Sequence, residues 1–163
     1  MKKLNFGCGE HILEGYDNCD IQKYPGVISF DFDKFPYPIK DNTYDYVLAE
    51  EVLEHLYNVE ECLEELHRIC KPNATIEILT PHYSNKGAFN SLQHKHYFSE
   101  RAFSVFADDF NVLNKKGKFK IIKLEQMPSS VGKFIHPYWL RQKLALFLNG
   151  IVSRLHIIYK VVK

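Results

Sequence analysis

Short apolar runs and longer amphipathic stretches alternate along this chain. Residues 2–6, 16–21, 27–32, 44–49 and 75–80 are runs of five or six residues, each with a small or polar residue at or next to its end (Gly7, Asp20, Asp31, Ala49, Thr80), and the pattern predicts five strands. Lys71-Pro72-Asn73 predicts the turn that opens the fifth of them, and Pro81 closes it. Between the fourth and fifth, Val59, Leu63, Leu66 and Ile69 recur at helical spacing behind a capping signal of Asn58 with Glu61. A shorter helix carrying Val52, Leu53 and Leu56 precedes it. Farther along, residues 101–110 read as a helix and 119–125 as a strand. Residues 137–152 read as a helix with Leu140, Leu144, Phe147 and Ile151 on one stripe, and 155–162 alternate as a last strand.

Strands alternating with helices predict an α/β fold, a three-layer arrangement around a mostly parallel sheet, with ligands bound beyond the carboxyl ends of its strands. With 163 residues and no repeat, 1–163 is expected to be one domain. Residues 82–98 are too long for a plain connector, so 82–118 is expected to serve as a lid or substrate segment, and 133–163 as a C-terminal helix and strand. Only nine residues separate the first two strands and five the next two, where a parallel crossover needs about a dozen or more. The helices on the N-terminal side must be truncated. One face of the sheet is then thinly covered, and an apolar face left so would be hidden by a second copy in a homodimer.

Composition changes this picture in two places. Apolar content of 45% and charged content of 25% are those of an ordinary globular protein, no apolar window reaches bilayer length, and no secretory pattern opens the sequence, so a cytoplasmic location is expected. Cys8, Cys19, Cys62 and Cys70 lack metal-ligand spacing and read as reduced, buried thiols. The net charge of +1, however, is split. Residues 1–72 hold 7 Lys and Arg against 15 Asp and Glu, and residues 73–163 hold 14 against 5. No acid follows Glu125, while Lys133, Arg141, Lys143, Arg154, Lys160 and Lys163 accompany Trp139 and many aliphatics. That tail is either a helix and strand with solvated cations or a surface for peripheral membrane contact. Nucleic acid is disfavoured as a partner, since the overall charge is near neutral and no stacking motif stands out.

Lys3-Leu4-Asn5-Phe6-Gly7-Cys8-Gly9 ends a strand on two glycines, where a ligand could approach bare backbone, and Asp20 and Asp31 stand at the ends of the next two strands. Each residue alone reads equally as a turn, cap or core position. Taken in order, though, Leu4 to Gly9, Tyr16 to Ile21, Asp31 to Pro38, Asp41 to Asp45, Val52 to Leu56 and Glu65 to Asn73 resemble the motifs of class I S-adenosylmethionine-dependent methyltransferases. The resemblance covers residues 3–81 well and 82–110 more loosely. It implies a Rossmann-like fold with an antiparallel C-terminal strand and S-adenosylmethionine as cofactor. It further implies that Asn5, Gly7, Cys8 and Gly9 meet the methionine part, Asp20 with Ile21 the ribose, and Asp31 with Phe32 the adenine. Ala49 and Glu50 would lie beneath the sulfonium, with His55 one helical turn on. Asn5 departs from the acidic residue many relatives carry there.

Methyl transfer needs alignment and, for a protonated acceptor, a base; histidine is the commonest near neutral pH. His82 and Tyr83, directly after the fifth strand, and His94 and His96, in Gln93-His94-Lys95-His96-Tyr97-Phe98, are the candidates; similarity to methyltransferase-like proteins favours His82 and His94, against a reading as loop histidines satisfied by backbone. A metal site from His82, His94 and His96 rests on H-x-H alone, and none is expected. The expected activity is methylation of oxygen or nitrogen on a small-molecule or sugar-type (glycan) acceptor. The alternative is a protein that keeps the cofactor fold without turnover and serves as a regulatory or partner subunit.

Overall fold

The computed structural model describes residues 1–113 and 117–163. Part of the expected lid segment 82–118 therefore lies outside the described residues. Seven strands, β1 (Lys3–Phe6), β2 (Asp17–Asp20), β3 (Ile28–Ser29), β4 (Tyr44–Glu50), β5 (Cys70–Pro81), β6 (Lys118–Pro128) and β7 (Val152–Val162), form one sheet in the order β3-β2-β1-β4-β5-β7-β6. The first five pair in parallel, and β7 runs antiparallel between β5 and β6. The chain thus leaves β1 toward one edge and β4 toward the other, which opens a crevice at their carboxyl ends.

Side-chain alternation explains where the core sits. Leu4 and Phe6 pair with Val47 and Ala49, these with Ile76 and Ile78, and these in turn with Tyr159 and Ile157. All eight are buried on one face, in a single cluster with Leu63 and Leu66 of α1 (Val59–Ile69) and Phe103 and Phe110 of α2 (Glu100–Leu113). The opposite face presents Tyr46, Leu48, Glu77, Leu79, His156 and Lys160. Tyr46 donates to Glu77, whose other oxygen lies 2.7 Å from His156 Nε2. This face is mixed rather than apolar, so burial alone does not demand a second subunit. The connector 7–16 carries no helix and folds onto the β1 and β2 end of that face, held by Asn5 and Asn18.

Several boundaries differ from the expected ones. β3 shrinks to two residues, while β5 begins at Cys70, directly after α1. Lys71-Pro72-Asn73 is a bulge inside that strand rather than a turn before it, with Asn73 at φ 63° and a register shift opposite Tyr44 and Tyr46. The helix expected over 137–152 is only α3 (Tyr138–Ala145). Gly150, at φ 84°, turns the chain into β7 with its N–H on Ser84 O, and Phe147 of the expected stripe is exposed. The short helix near Val52 is a single 3-10 turn, Leu53–His55. Asn58 precedes α1, but its side chain makes no capping bond. The N–H groups of Tyr57 and Asn58 instead donate to Asp33 Oδ1, at 2.9 Å each.

The loop after β3 is fastened to α1 by Arg68, which bonds Glu65 through two nitrogens and also reaches Asp41, Ile39 O and Tyr37 O. Burial alone would push the Glu65 carboxyl up, but the Arg68 guanidinium and the Tyr37 N–H outweigh it and hold it below the usual carboxylate range. A lowered folded value gives stability that is present above the ordinary Glu value of about 4.3 and lost as pH falls through the folded one. Arg68→Met is expected to cost about 1.5–3 kcal/mol at neutral pH and to flatten the acid limb of a denaturation-midpoint profile.

Candidate active site

The carboxyl ends of β1, β2 and β4, with the loop after β3, surround a cleft of about 900 Å³. Gly7, Gly9, Asp20, Ile21, Asp31, Phe32 and His55 all line it, so residues far apart in sequence converge on one space. Gly7 sits at φ 74°, and a Cβ there would lie 2.2 Å from Val52 Cγ2, so both conformation and contact require glycine. At Gly9, with φ 49°, a Cβ would meet nothing within 4 Å: here the backbone is bare toward open space.

Asp20 is held by two backbone donors, Gly9 N–H on Oδ2 at 2.7 Å and Gln22 N–H on Oδ1 at 2.9 Å. Each oxygen keeps lone-pair capacity for a ligand hydroxyl. Asp31 accepts from Asp33 N–H through Oδ1 and has Lys34 Nζ at 3.5 Å from Oδ2. Phe32 is buried, its ring stacked on Phe6 at 4.0 Å between centroids, so it walls the cleft from the core side.

The structure does not bring the remaining expected residues to the lining. Asn5 faces away, its amide spent on His11 O and Asn18 Oδ1, both at 2.9 Å. Cys8 is buried with Sγ toward Gly9 O. Ala49 is buried in the core face of β4, and Glu50 lies outside, paired with Arg154 at 2.8 Å. His82 is buried, with Nδ1 2.7 Å from Ser84 Oγ and Nε2 3.4 Å from Glu100 Oε2; it is fixed inside the protein, not at the cleft. His94 is placed differently. Its neighbours Gln93 and Lys95 line the cleft, and its ring meets that of His55 edge-on at 4.7 Å. Lys95 N–H and His96 N–H both donate to Glu54 O, which ties this loop to the Leu53–His55 turn.

Among the lining residues that escaped sequence reasoning are Asp33, Glu51 and Tyr57. Asp33 anchors the start of α1 across more than twenty residues, which no local pattern shows. Glu51 lines the cleft at φ 54°, a left-handed conformation that a non-glycine residue adopts at a cost of about 1–3 kcal/mol. Tyr57 borders both the cleft and a second, largely apolar cavity of about 350 Å³ between α1 and α2, where Leu63, Phe98, Phe103 and Phe106 are joined by Glu60, Glu61 and His96. The one sequence signal for Glu51 and Tyr57 was their position just beyond a strand end and just before a helix. Burial pushes the carboxyls of Glu51 and Glu54 up, and burial followed by the neighbouring His94 pushes His55 down, so this end of the cleft favours uncharged forms.

Comparison with known proteins agrees with this geometry. Residues 17–78 match the family described as methyltransferase domain. A 2-phytyl-1,4-naphtoquinone methyltransferase of Nostoc sp. is 38% identical over 56 residues, 34% of this chain and 24% of that protein, so the match spans about a quarter of the curated relative's length. Two solved S-adenosylmethionine-dependent methyltransferases share the fold over 98% of this chain. One, from Archaeoglobus fulgidus, has a TM-score of 0.64 at 18% identity, with 85% of it covered. The other, from Mesorhizobium loti, has a TM-score of 0.65 at 12% identity, with 90% of it covered. The chain thus has the fold of these S-adenosylmethionine-dependent methyltransferases over nearly its whole length, and from β2 into β5 its sequence matches a methyltransferase domain.

Proposed function

We propose that this protein transfers the methyl group of S-adenosylmethionine to oxygen or nitrogen of a small molecule that it meets at a membrane surface. The observation that carries the cofactor reading is the convergence of bare backbone at Gly9 and the buried carboxylate of Asp20 on one cleft. Gly7 and Gly9 would leave room for the methionine part, the free lone pairs of Asp20 would take ribose hydroxyls, and Asp31 would take the adenine amine. When bound, the cofactor supplies a methyl on a positively charged sulfur, poised for in-line displacement. The chain then has to align the acceptor, exclude water and handle one proton. The polar groups at that end are Glu54, His55 and His94, and the largely apolar cavity beyond Tyr57 suits an acceptor with a hydrocarbon portion.

The register of β7 supports the membrane part of the reading. Arg154 pairs with Pro81, so β7 starts at the carboxyl edge of the sheet, the edge that carries the cleft. The segment leading into it exposes Val131, Phe134, Trp139, Leu146, Phe147 and Leu148, with Phe134 at 87% and Phe147 at 84%. Lys133, Arg141 and Lys143 lie among them and no acid does. Exposed aromatic and aliphatic side chains beside cations match an anionic lipid surface. No helix among the described residues is long and apolar enough to cross a membrane. The relative from Nostoc sp. is named for a phytyl naphthoquinone, a molecule with such a hydrocarbon portion.

Incubation with methyl-tritiated cofactor and anionic vesicles made from a total lipid extract tests both parts at once. Label is expected in the organic phase, about tenfold or more reduced in a Phe134→Ser, Phe147→Ser double variant that still binds S-adenosylhomocysteine. Label appearing only in water-soluble products would move the acceptor to the glycan or polar small-molecule class. Cofactor binding with no transfer to any acceptor would favour the partner-subunit alternative.

A further inference from the structure

We infer that Glu54, His55 and His94 form a site for one divalent transition-metal ion at the acceptor end of the cleft. One ligand atom from each lies within 4.8 Å of the others. Two imidazoles and one carboxylate are a donor set suited to ions of the zinc and iron group, and three protein ligands leave further positions open.

Two observations beyond proximity point to a cation. Glu54 is 1% exposed, and its Oε1 has no hydrogen-bond partner, while Oε2 accepts from Thr80 Oγ1 at 3.0 Å. Burying a carboxylate oxygen without a partner is costly, and a cation on that oxygen removes the cost. Glu51, also a cleft residue, has a second buried carboxylate oxygen without a hydrogen-bond partner, its nearest cation being Arg154 Nε at 3.3 Å. The second observation is the orientation of His94. Its Nδ1 is 2.6 Å from Ala88 O; a carbonyl can only accept, so in the neutral ring Nδ1 carries the proton and Nε2 is the nitrogen left to bind a cation. A backbone carbonyl behind the far nitrogen is how metal-binding imidazoles are usually fixed. Thr80 does the same for the carboxylate. The amine of Lys95, in the same loop, is bonded to His55 O and lies 4.1 Å over the Tyr57 ring, and Arg154 is paired with Glu50 and Glu51.

An ion there would face the cleft through His55, where its open positions could take an acceptor oxygen and lower the pKa of its hydroxyl. That use rests on the methyl-transfer reading; the site itself does not.

The test is titration of the metal-free full chain with Co²⁺, followed by visible absorption. One equivalent is expected to bind with a d–d band, about tenfold or more weakly in His94→Ala and in Glu54→Gln. S-Adenosylhomocysteine calorimetry on the same proteins reports separately on the cofactor cleft. His94→Ala alters only a half-buried loop residue and is the decisive variant if Glu54→Gln unfolds. No stoichiometric band in the wild type, or a band of equal affinity in His94→Ala, overturns the site. A Co²⁺ band with no S-adenosylhomocysteine binding keeps the metal site and rejects the methyl-transfer reading.

Discussion

Replacing Gly7 by alanine is expected to lower stability by about 2–5 kcal/mol, enough to shift a denaturant midpoint clearly, through two separate costs. The left-handed conformation at φ 74° disfavours any Cβ, and the new methyl would sit 2.2 Å from a methyl of Val52. Val52 is itself buried in the main core, so it cannot step aside freely. Gly9→Ala is the informative partner. Its φ is 49° but its Cβ would meet nothing, so it should cost only the conformational part, about 1–2 kcal/mol. It should nevertheless impair cofactor binding, because the methyl would project into the space that the cleft leaves open. Equal midpoints for the two variants would contradict this account of β1 and its turn.

The same contrast shows what the sequence could and could not reveal. A glycine pair behind a short apolar run marks a strand end, and Asp20 and Asp31 mark two more; the parallel order then forces all three to one edge. That part of the site is a consequence of chain topology and was legible. His82 was not, because it stands directly after β5, at the correct edge, yet the isolated bridge to Phe98 and the bond to Ser84 turn it inward. Sequence distance to a strand end says nothing about which way the next residue is folded over. Asn5 misled for a related reason: alternation along β1 sends it to the face opposite Leu4 and Phe6, away from the crevice. The pairing of His94 with Glu54 and His55 depends on Lys95 and His96 donating to one carbonyl forty residues back, a contact without any periodic trace. At the C-terminus, hydrophobic spacing suggested a helix over 137–152 with Leu140, Leu144, Phe147 and Ile151 on one stripe. Ile151 is buried and Leu144 packs against it, but α3 ends at Ala145 and Phe147 beyond it is exposed, a break that periodicity cannot show.

The second large effect concerns Asp20. In the folded protein its carboxylate is oriented by Gly9 N–H and Gln22 N–H before any ligand arrives, so its remaining lone pairs are pre-aimed at the cleft. Hydrogen bonds to a charged acceptor contribute about 1.5–3 kcal/mol each, so losing two ribose contacts should weaken binding by about a hundredfold or more. Asp20→Asn, which keeps one acceptor oxygen and the side-chain shape, should fall between. Part of the loss in Asp20→Ala would come from releasing the Gly9 backbone, which the asparagine variant largely retains.

Calorimetry of S-adenosylhomocysteine with the wild-type chain and with Asp20→Ala puts the convergent cleft to its most direct test. The account predicts one site per chain and a loss of about a hundredfold in the variant. Equal affinity in the two proteins, or no binding to either, would contradict it.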